Sequence, residues 1–159
     1  MKYRIVAVGK IKAAYLREGI AEYTKRLRPY GGLTVVEVPE AYSPERASAR
    51  EIAARIEEEG ERLLRHVKPE DYVLLLDVDG ALWTSPEWAA HLDAAATNGS
   101  SEAVLLIGGA FGVSDALRRR AAARVSLGRV TYTHQIARFL VTEQLYRAEK
   151  INRHEPYHW

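Results

Sequence analysis

Short runs of β-branched and other apolar residues alternate along this chain with segments of helical spacing, and this alternation limits the fold more than any other feature. The runs predicted as strands are YRIVAVG (3–9), LTVVEV (33–38), YVLLLDV (72–78), EAVLLIG (102–108) and RVSL (124–127). Strands that alternate with helices favour an α/β fold around a mostly parallel sheet, with right-handed crossovers placing helices on both faces. A length of 159 residues suits a single domain spanning 1–159.

The predicted helices lie between these runs and are marked by apolar spacing and by capping residues. The first carries Leu16, Ile20, Tyr23 and Leu27, and the second starts at the capping box of Ser48 and Glu51 and runs to Leu64. Ser85-Pro86-Glu87 begins a third that reaches Leu92, Ser114-Asp115 caps a short fourth, and a fifth spans about His134 to Ala148.

Several classes of protein are disfavoured by residues that the chain lacks. With no cysteine, disulfides, cysteine nucleophiles and thiolate metal sites are excluded. The N-terminal MKYRIVAVGK has no long apolar region and no cleavage site of small residues, so no signal peptide is predicted. No run approaches the roughly 18 apolar residues of a membrane span. We therefore expect a soluble cytoplasmic protein without a membrane partner.

Charge is distributed unevenly, although the formal net charge is only +2. Residues 1–107 hold 14 Lys and Arg against 17 Asp and Glu, whereas residues 108–159 hold 9 against 4. This asymmetry indicates a C-terminal part that faces a polyanion. For the triplet Arg118, Arg119 and Arg120 taken alone, a solvated helix face is an equally good interpretation.

Three successive predicted strands end in glycine-bearing segments: DVDG (77–80), GGAFG (108–112) and LGRVT (127–131). Since ligands of parallel sheets bind outside the carboxyl ends of the strands, these segments are expected to meet at one edge. Glycine lets backbone groups approach a ligand closely, so together they predict a site for a nucleoside-like molecule. Each segment alone is more often a simple turn.

The familiar motifs of nucleotide and ester chemistry are missing. GGAFG is not a G-x-G-x-x-G and follows the fourth strand rather than the first, and no G-x-x-x-x-G-K-[ST] or G-x-S-x-G occurs. His134 and His158 are 24 residues apart without a carboxylate pattern, so no metal site is predicted.

The C-terminus is unusually rich in chemistry-bearing side chains, because INRHEPYHW places two histidines, a tyrosine and a tryptophan in its last six residues. Chain ends usually fray, so a tail of this composition is expected either to pack against another surface or to contact a ligand. The preceding helix, HQIARFLVTEQLYRAEKI, has a plain alternative interpretation as a terminal helix docked on the sheet, with Arg138 and Glu143 in a surface ion pair.

Taken together, LLLDVDG, LLIGGAFG, TYTHQIARFLVTEQLYRAEKI and the closing PYH resemble the ribosomal RNA large-subunit methyltransferase H family, RlmH, of the SPOUT or α/β-knot methyltransferases. The resemblance covers essentially the whole chain, and the combination of IGG, EQLYRA and PYH is specific. It implies a five-stranded parallel sheet with a C-terminal trefoil knot, working as a homodimer. It also implies transfer of a methyl group from S-adenosylmethionine to N3 of a pseudouridine in 23S rRNA on the assembled ribosome.

The resemblance also assigns residues. It implies that the cofactor is contacted by Leu76, Gly108, Leu127, Gly128, Arg129, Val130, Thr131 and Tyr132. From chemical type, His158 and Tyr157 suit proton handling and contact with the base, and Arg138 suits a phosphate. The chain departs from the family's pattern at Ala110-Phe111, Glu155 and Trp159.

Two other classes of function compete with this interpretation. A non-catalytic RNA- or ribosome-binding module would use the basic C-terminal part without a cofactor, and the glycine segments argue against it. A Rossmann-type enzyme would need a glycine-rich loop after the first strand, where VAVGKIK has a single glycine.

Overall fold

A computed structural model describes residues 1–159 as one α/β unit built from five strands and five α-helices. The strands are β1 (Lys2–Val8), β2 (Leu33–Val38), β3 (Tyr72–Leu82), β4 (Glu102–Ile107) and β5 (Ala123–Ser126). The helices are α1 (Ala14–Leu27), α2 (Ala49–Leu64), α3 (Ser85–Thr97), α4 (Asp115–Arg120) and α5 (His134–Asn152), and a 3-10 turn at Arg28–Tyr30 follows α1.

All five strands form one sheet in the order β2-β1-β4-β3-β5, and every neighbouring pair is parallel. The predicted fold class is confirmed. Because all strands point the same way, the segments that follow them emerge at one edge. The trefoil knot implied by the resemblance stays a prediction. None of the helices is both long enough and apolar enough to cross a bilayer.

Alternate residues of the strands bury into two separate cores, as a strand covered on both faces requires. On one face Ile5, Leu74 and Leu105 pack with residues of α1, α3 and α5, including the fully enclosed Trp88. On the other face the neighbouring strand residues pack against Leu63 of α2 and Leu117 of α4. The odd-numbered helices therefore cover one face and the even-numbered helices the other.

The helices α2 to α5 begin where the sequence predicts, and each of them has a hydroxyl cap. Ser48 and Thr84 form complete capping boxes with Glu51 and Glu87. The Ser114 side chain caps α4, and Thr133 does the same for α5 by accepting from the N–H of Ile136.

The third strand is longer than predicted, and this changes the interpretation of DVDG. Residues 77–80 are not a loop but part of β3, which continues to Leu82 after an irregularity in its pairing with β5 between Leu76 and Ala81. A Cβ at Gly80 would lie 2.7 Å from the backbone of Arg124, so glycine is needed there for close strand approach and not for a turn. α3 and α5 also run on past their predicted ends, to Thr97 and Asn152.

Candidate functional site

A cleft of about 790 Å³ opens at the carboxyl edge of the sheet, beside β3, β4 and β5. Its walls come from the end of β3, from the segment after β4, from the segment after β5 and from the first turn of α5. The lining includes Leu76 to Asp79, Ile107 to Val113, Ser126 to Gly128, Val130 to Gln135, Arg118 and Ala137. The three glycine-bearing segments therefore do meet in one place, as the sequence predicts.

Three glycines shape the segment after β4: Gly108 and Gly109 leave no room for a side chain, and Gly112 has a left-handed backbone. A Cβ on Gly108 would lie 2.8 Å from Cγ1 of Val113 and 2.9 Å from the carbonyl oxygen of Gly112. Gly112 itself has a φ of 112°, which disfavours other residues. The loop therefore exposes backbone groups to the cleft, which is what close recognition of a small ligand needs.

Behind this loop lies a buried carboxylate that the sequence analysis did not identify. Glu59 of α2 is 2 % exposed, and a Cβ on Gly109 would come within 2.8 Å of its Oε1. Its other oxygen accepts from the N–H of Ala41 at 3.2 Å, and Arg55 lies 3.6 Å away. Burial raises the pKa of Glu59 above its ordinary value. The side chain thus forms the floor beneath Gly109.

The segment after β5 forms the opposite wall and is largely exposed. Ser126 holds its start through two bonds, donating to the carbonyl of Gly128 and accepting from the N–H of Gly128. Val130 and Tyr132 are 64 % and 41 % exposed. Arg129 does not line the cleft; its guanidinium donates to the carbonyls of Val78 and Gly80 and so ties this wall to β3.

A buried carboxylate, Asp77, lies in the wall formed by β3. Its Oδ2 lies 3.2 Å from Nε of Arg118 and 3.4 Å from a terminal nitrogen of Arg124, and its Oδ1 accepts from the N–H of Asp79. Burial by itself would raise the pKa of Asp77. The Asp79 bond and the two guanidinium groups outweigh burial and lower that pKa below its ordinary value. Asp77 is therefore charged at neutral pH and holds two basic side chains, of which Arg118 lines the cleft.

The first turn of α5 contributes His134, a half-buried residue on the rim of the cleft. Burial and the neighbouring Arg138 lower its pKa, against the opposing effect of Glu40, so the imidazole is neutral at pH 7. No three His, Cys, Asp or Glu side chains of the structure gather as metal ligands.

Arg138 lies one helical turn further on, and its placement differs from expectation. It is 1 % exposed, and its terminal nitrogens donate to Glu37 at 2.6 Å and to the carbonyl of Gly9 at 2.9 Å. It therefore joins α5 to the ends of β1 and β2, and its placement does not support contact with an RNA phosphate. A surface pair of Arg138 with Glu143 is wrong, because Glu143 instead binds Arg147.

The tail packs on the C-terminal half of α5 and not in the cleft. The Tyr157 hydroxyl donates to Glu143 at 2.9 Å and lies 3.1 Å from the hydroxyl of Tyr23, while its ring stands edge-on to Tyr146. Burial, together with these hydrogen bonds, raises the pKa of Tyr157, so its phenol stays protonated.

His158 lies next to this cluster and is exposed, with its Nδ1 3.2 Å from Arg147. Glu143 and Arg147 follow His134 by nine and 13 residues, a separation of roughly 14–20 Å along a helix. Neither Tyr157 nor His158 lines the cleft, so the folded chain holds the two groups of predicted site residues apart.

A parallel α/β sheet with a backbone-lined cleft at its carboxyl edge is the arrangement in which proteins of this class bind their ligands. A family model described as "Predicted SPOUT methyltransferase" matches residues 1–158. The chain belongs to the SPOUT methyltransferase family.

Curated relatives agree with this assignment over nearly the full length of both chains. A "Ribosomal RNA large subunit methyltransferase H" of Listeria monocytogenes serovar 1/2a is 46 % identical over 158 residues, covering 99 % of each chain. Proteins of the same name from Carboxydothermus hydrogenoformans and Bacillus pumilus are 46 % and 42 % identical with the same coverage. The resemblance to the RlmH family is confirmed.

Proposed function

We propose that this methyltransferase transfers the methyl group of S-adenosylmethionine to N3 of a pseudouridine in 23S rRNA, with the assembled ribosome as its substrate. The observation that carries the proposal is the cleft in which all three glycine-bearing segments meet beside the first turn of α5. The name that the curated relatives share, large subunit rRNA methyltransferase, supports the substrate class. Such a substrate implies a cytoplasmic location.

The cofactor residues proposed from the resemblance fit this cleft. It is lined by Leu76, Gly108, Leu127, Gly128, Val130, Thr131 and Tyr132, while Arg129 braces the wall from behind. Apolar walls suit an adenosine, and the open backbone at Gly108 suits a polar end. The sulfonium of the bound cofactor supplies an already activated methyl group, so no metal or covalent nucleophile is required.

The chain's own side chains have to orient the base and accept the proton at N3. This proton is weakly acidic, and its removal needs a neutral base within hydrogen-bonding reach. We assign this task to His158, with the protonated phenol of Tyr157 as a hydrogen-bond donor and stacking partner for the base. Arg138, linked to Glu37 and Gly9, holds the first turns of α5 against the ends of β1 and β2.

The distance between the cleft and the tail supports a homodimer. Because Tyr157 is anchored on the far half of α5, we propose that the tail of one subunit serves the cleft of a second. Exposed apolar side chains near the cleft and on the tail, Val130, Tyr132 and Trp159, offer surface for such pairing. Phe139 and Leu140, both half-buried, remain candidates for the contact.

The decisive experiment measures methylation of ribosomes that lack the modification, with the product mapped by mass spectrometry. His158→Ala should reduce turnover by on the order of 10²-fold or more while leaving the affinity for S-adenosylhomocysteine unchanged. Removal of the residues after Glu155 should act in the same way. His66→Ala, at an exposed position far from the cleft, is the matched control. Full activity of both tail variants would refute the role of the tail, and an inactive wild-type protein would refute the proposed reaction.

A further inference from the structure

Beside the cofactor cleft lies a second cavity of about 430 Å³, the side pocket, lined by Gly9, Lys10, Lys12, Glu37 to Glu40, His134 and Gln135. It shares His134 and Gln135 with the larger cleft, so the two cavities are neighbours across the first turn of α5. Its volume is in the range that binds small ligands. Whatever occupies it lies next to the cofactor.

Two lysine side chains of the side pocket have no ion-pair partner. Lys10 and Lys12 are exposed, and their side chains form no ion pair or hydrogen bond in the structure. Of the two acidic residues of the pocket, Glu37 pairs with Arg138 at 2.6 Å. Glu40 lies 3.7 Å from Arg55, which also neighbours the buried Glu59 at 3.6 Å. The exposed ammonium groups of Lys10 and Lys12 are therefore available to bind an anion.

The segment that carries these lysines is held by its backbone. The N–H of Ile11 donates to Glu37 at 3.0 Å, and the N–H of Lys12 donates to Gln135 at 3.2 Å. Arg17 donates to the carbonyls of both Ile11 and Lys12. Because the backbone is fixed, the two ammonium groups project from a rigid base, which reduces the entropy lost on binding.

We propose that the side pocket receives the acceptor nucleotide of the RNA, with Lys10 and Lys12 binding its flanking phosphates. The inference rests on the proposed function and deepens it by naming the subsite that presents the base. Enzymes that modify a base take it out of the stack into a pocket, and phosphate contacts fix its register. The shared wall at His134 then places the base against the cofactor cleft.

The test measures binding of the S-adenosylhomocysteine-loaded protein to unmodified ribosomes across a range of salt concentrations. The Lys10→Ala/Lys12→Ala double variant should bind at least tenfold more weakly near physiological salt. Its salt dependence should fall by about 0.7–0.9 in log–log slope for each lost phosphate contact. Its affinity for S-adenosylhomocysteine should be unchanged. Lys2→Ala, at the opposite end of β1, removes an exposed lysine from the other edge and should bind like the wild type.

Three results would overturn the proposal. The first is a double variant whose ribosome binding and salt slope equal those of Lys2→Ala. The second is a wild-type protein that fails to bind ribosomes. The third is a double variant that sediments as a monomer, which would assign the pocket to the tail of the second copy. Failure of the proposed reaction is scored separately, because a wild type that binds through these lysines but transfers no methyl group contradicts only the reaction.

Discussion

Asp77→Asn should destabilise the protein by about 1.5 kcal/mol at pH 7. The asparagine oxygen can keep the bond from the N–H of Asp79, so the variant loses only the charged contacts with Arg118 and Arg124. A hydrogen bond to a charged group contributes about 1.5–3 kcal/mol, and an exposed ion pair about 0–1 kcal/mol. Since the two arginine side chains are 36 % and 45 % exposed, the lower ends of these ranges apply.

The loss should depend on pH with a definite sign. The folded-state pKa of Asp77 is lowered, whereas an unfolded aspartate has a pKa of about 3.9. The stabilisation is therefore present above pH ~3.9 and is lost as the pH falls through the folded-state pKa. The difference between wild type and Asp77→Asn should be full at pH 7 and should shrink below pH ~3.9.

Urea denaturation at fixed protein concentration measures this difference. Asp79→Asn is the matched control, because it removes an exposed carboxylate two residues away and keeps the backbone N–H that Asp77 accepts. Equal midpoints and slopes for Asp77→Asn and Asp79→Asn at pH 7 would refute the argument that the arginine contacts stabilise the fold.

Two further predictions concern the cleft and the assembly. Gly108→Val should weaken binding of S-adenosylhomocysteine at least tenfold in calorimetry, because the new side chain displaces Gly112 and Val113; unchanged affinity in a folded variant would contradict the placement of the cofactor. Analytical ultracentrifugation at micromolar concentration should show a homodimer, and a monomer alone would count against a shared site.

Local sequence signals predicted most of the fold, because they depend on near neighbours in the chain. Alternation and capping residues located the five strands and the starts of the helices, including the box at Ser48. The extension of β3 was missed because the need for Gly80 comes from the backbone of Arg124, 44 residues away in the sequence. No periodicity reports such a contact between strands.

The sequence predicted the glycines of the site but not its buried charged residues. Gly108 and Gly128 are visible in the sequence because they interrupt apolar runs. Asp77 looks like a turn residue until its arginines are placed, and Glu59 looks like one more charge on a helix rich in glutamate. The location of Tyr157 depends on Tyr23, which lies 134 residues earlier, so only the folded chain could show which half of α5 receives the tail.

The separation of cleft and tail along α5 has a consequence for how the activity responds to the amount of protein. If each working site needs parts of two copies, dilution below the dimer dissociation constant removes activity while every subunit stays folded and able to hold its cofactor. In that range the rate should rise with the square of the protein concentration. A small molecule that dissociates the dimer would then abolish the activity without competing with either the cofactor or the RNA.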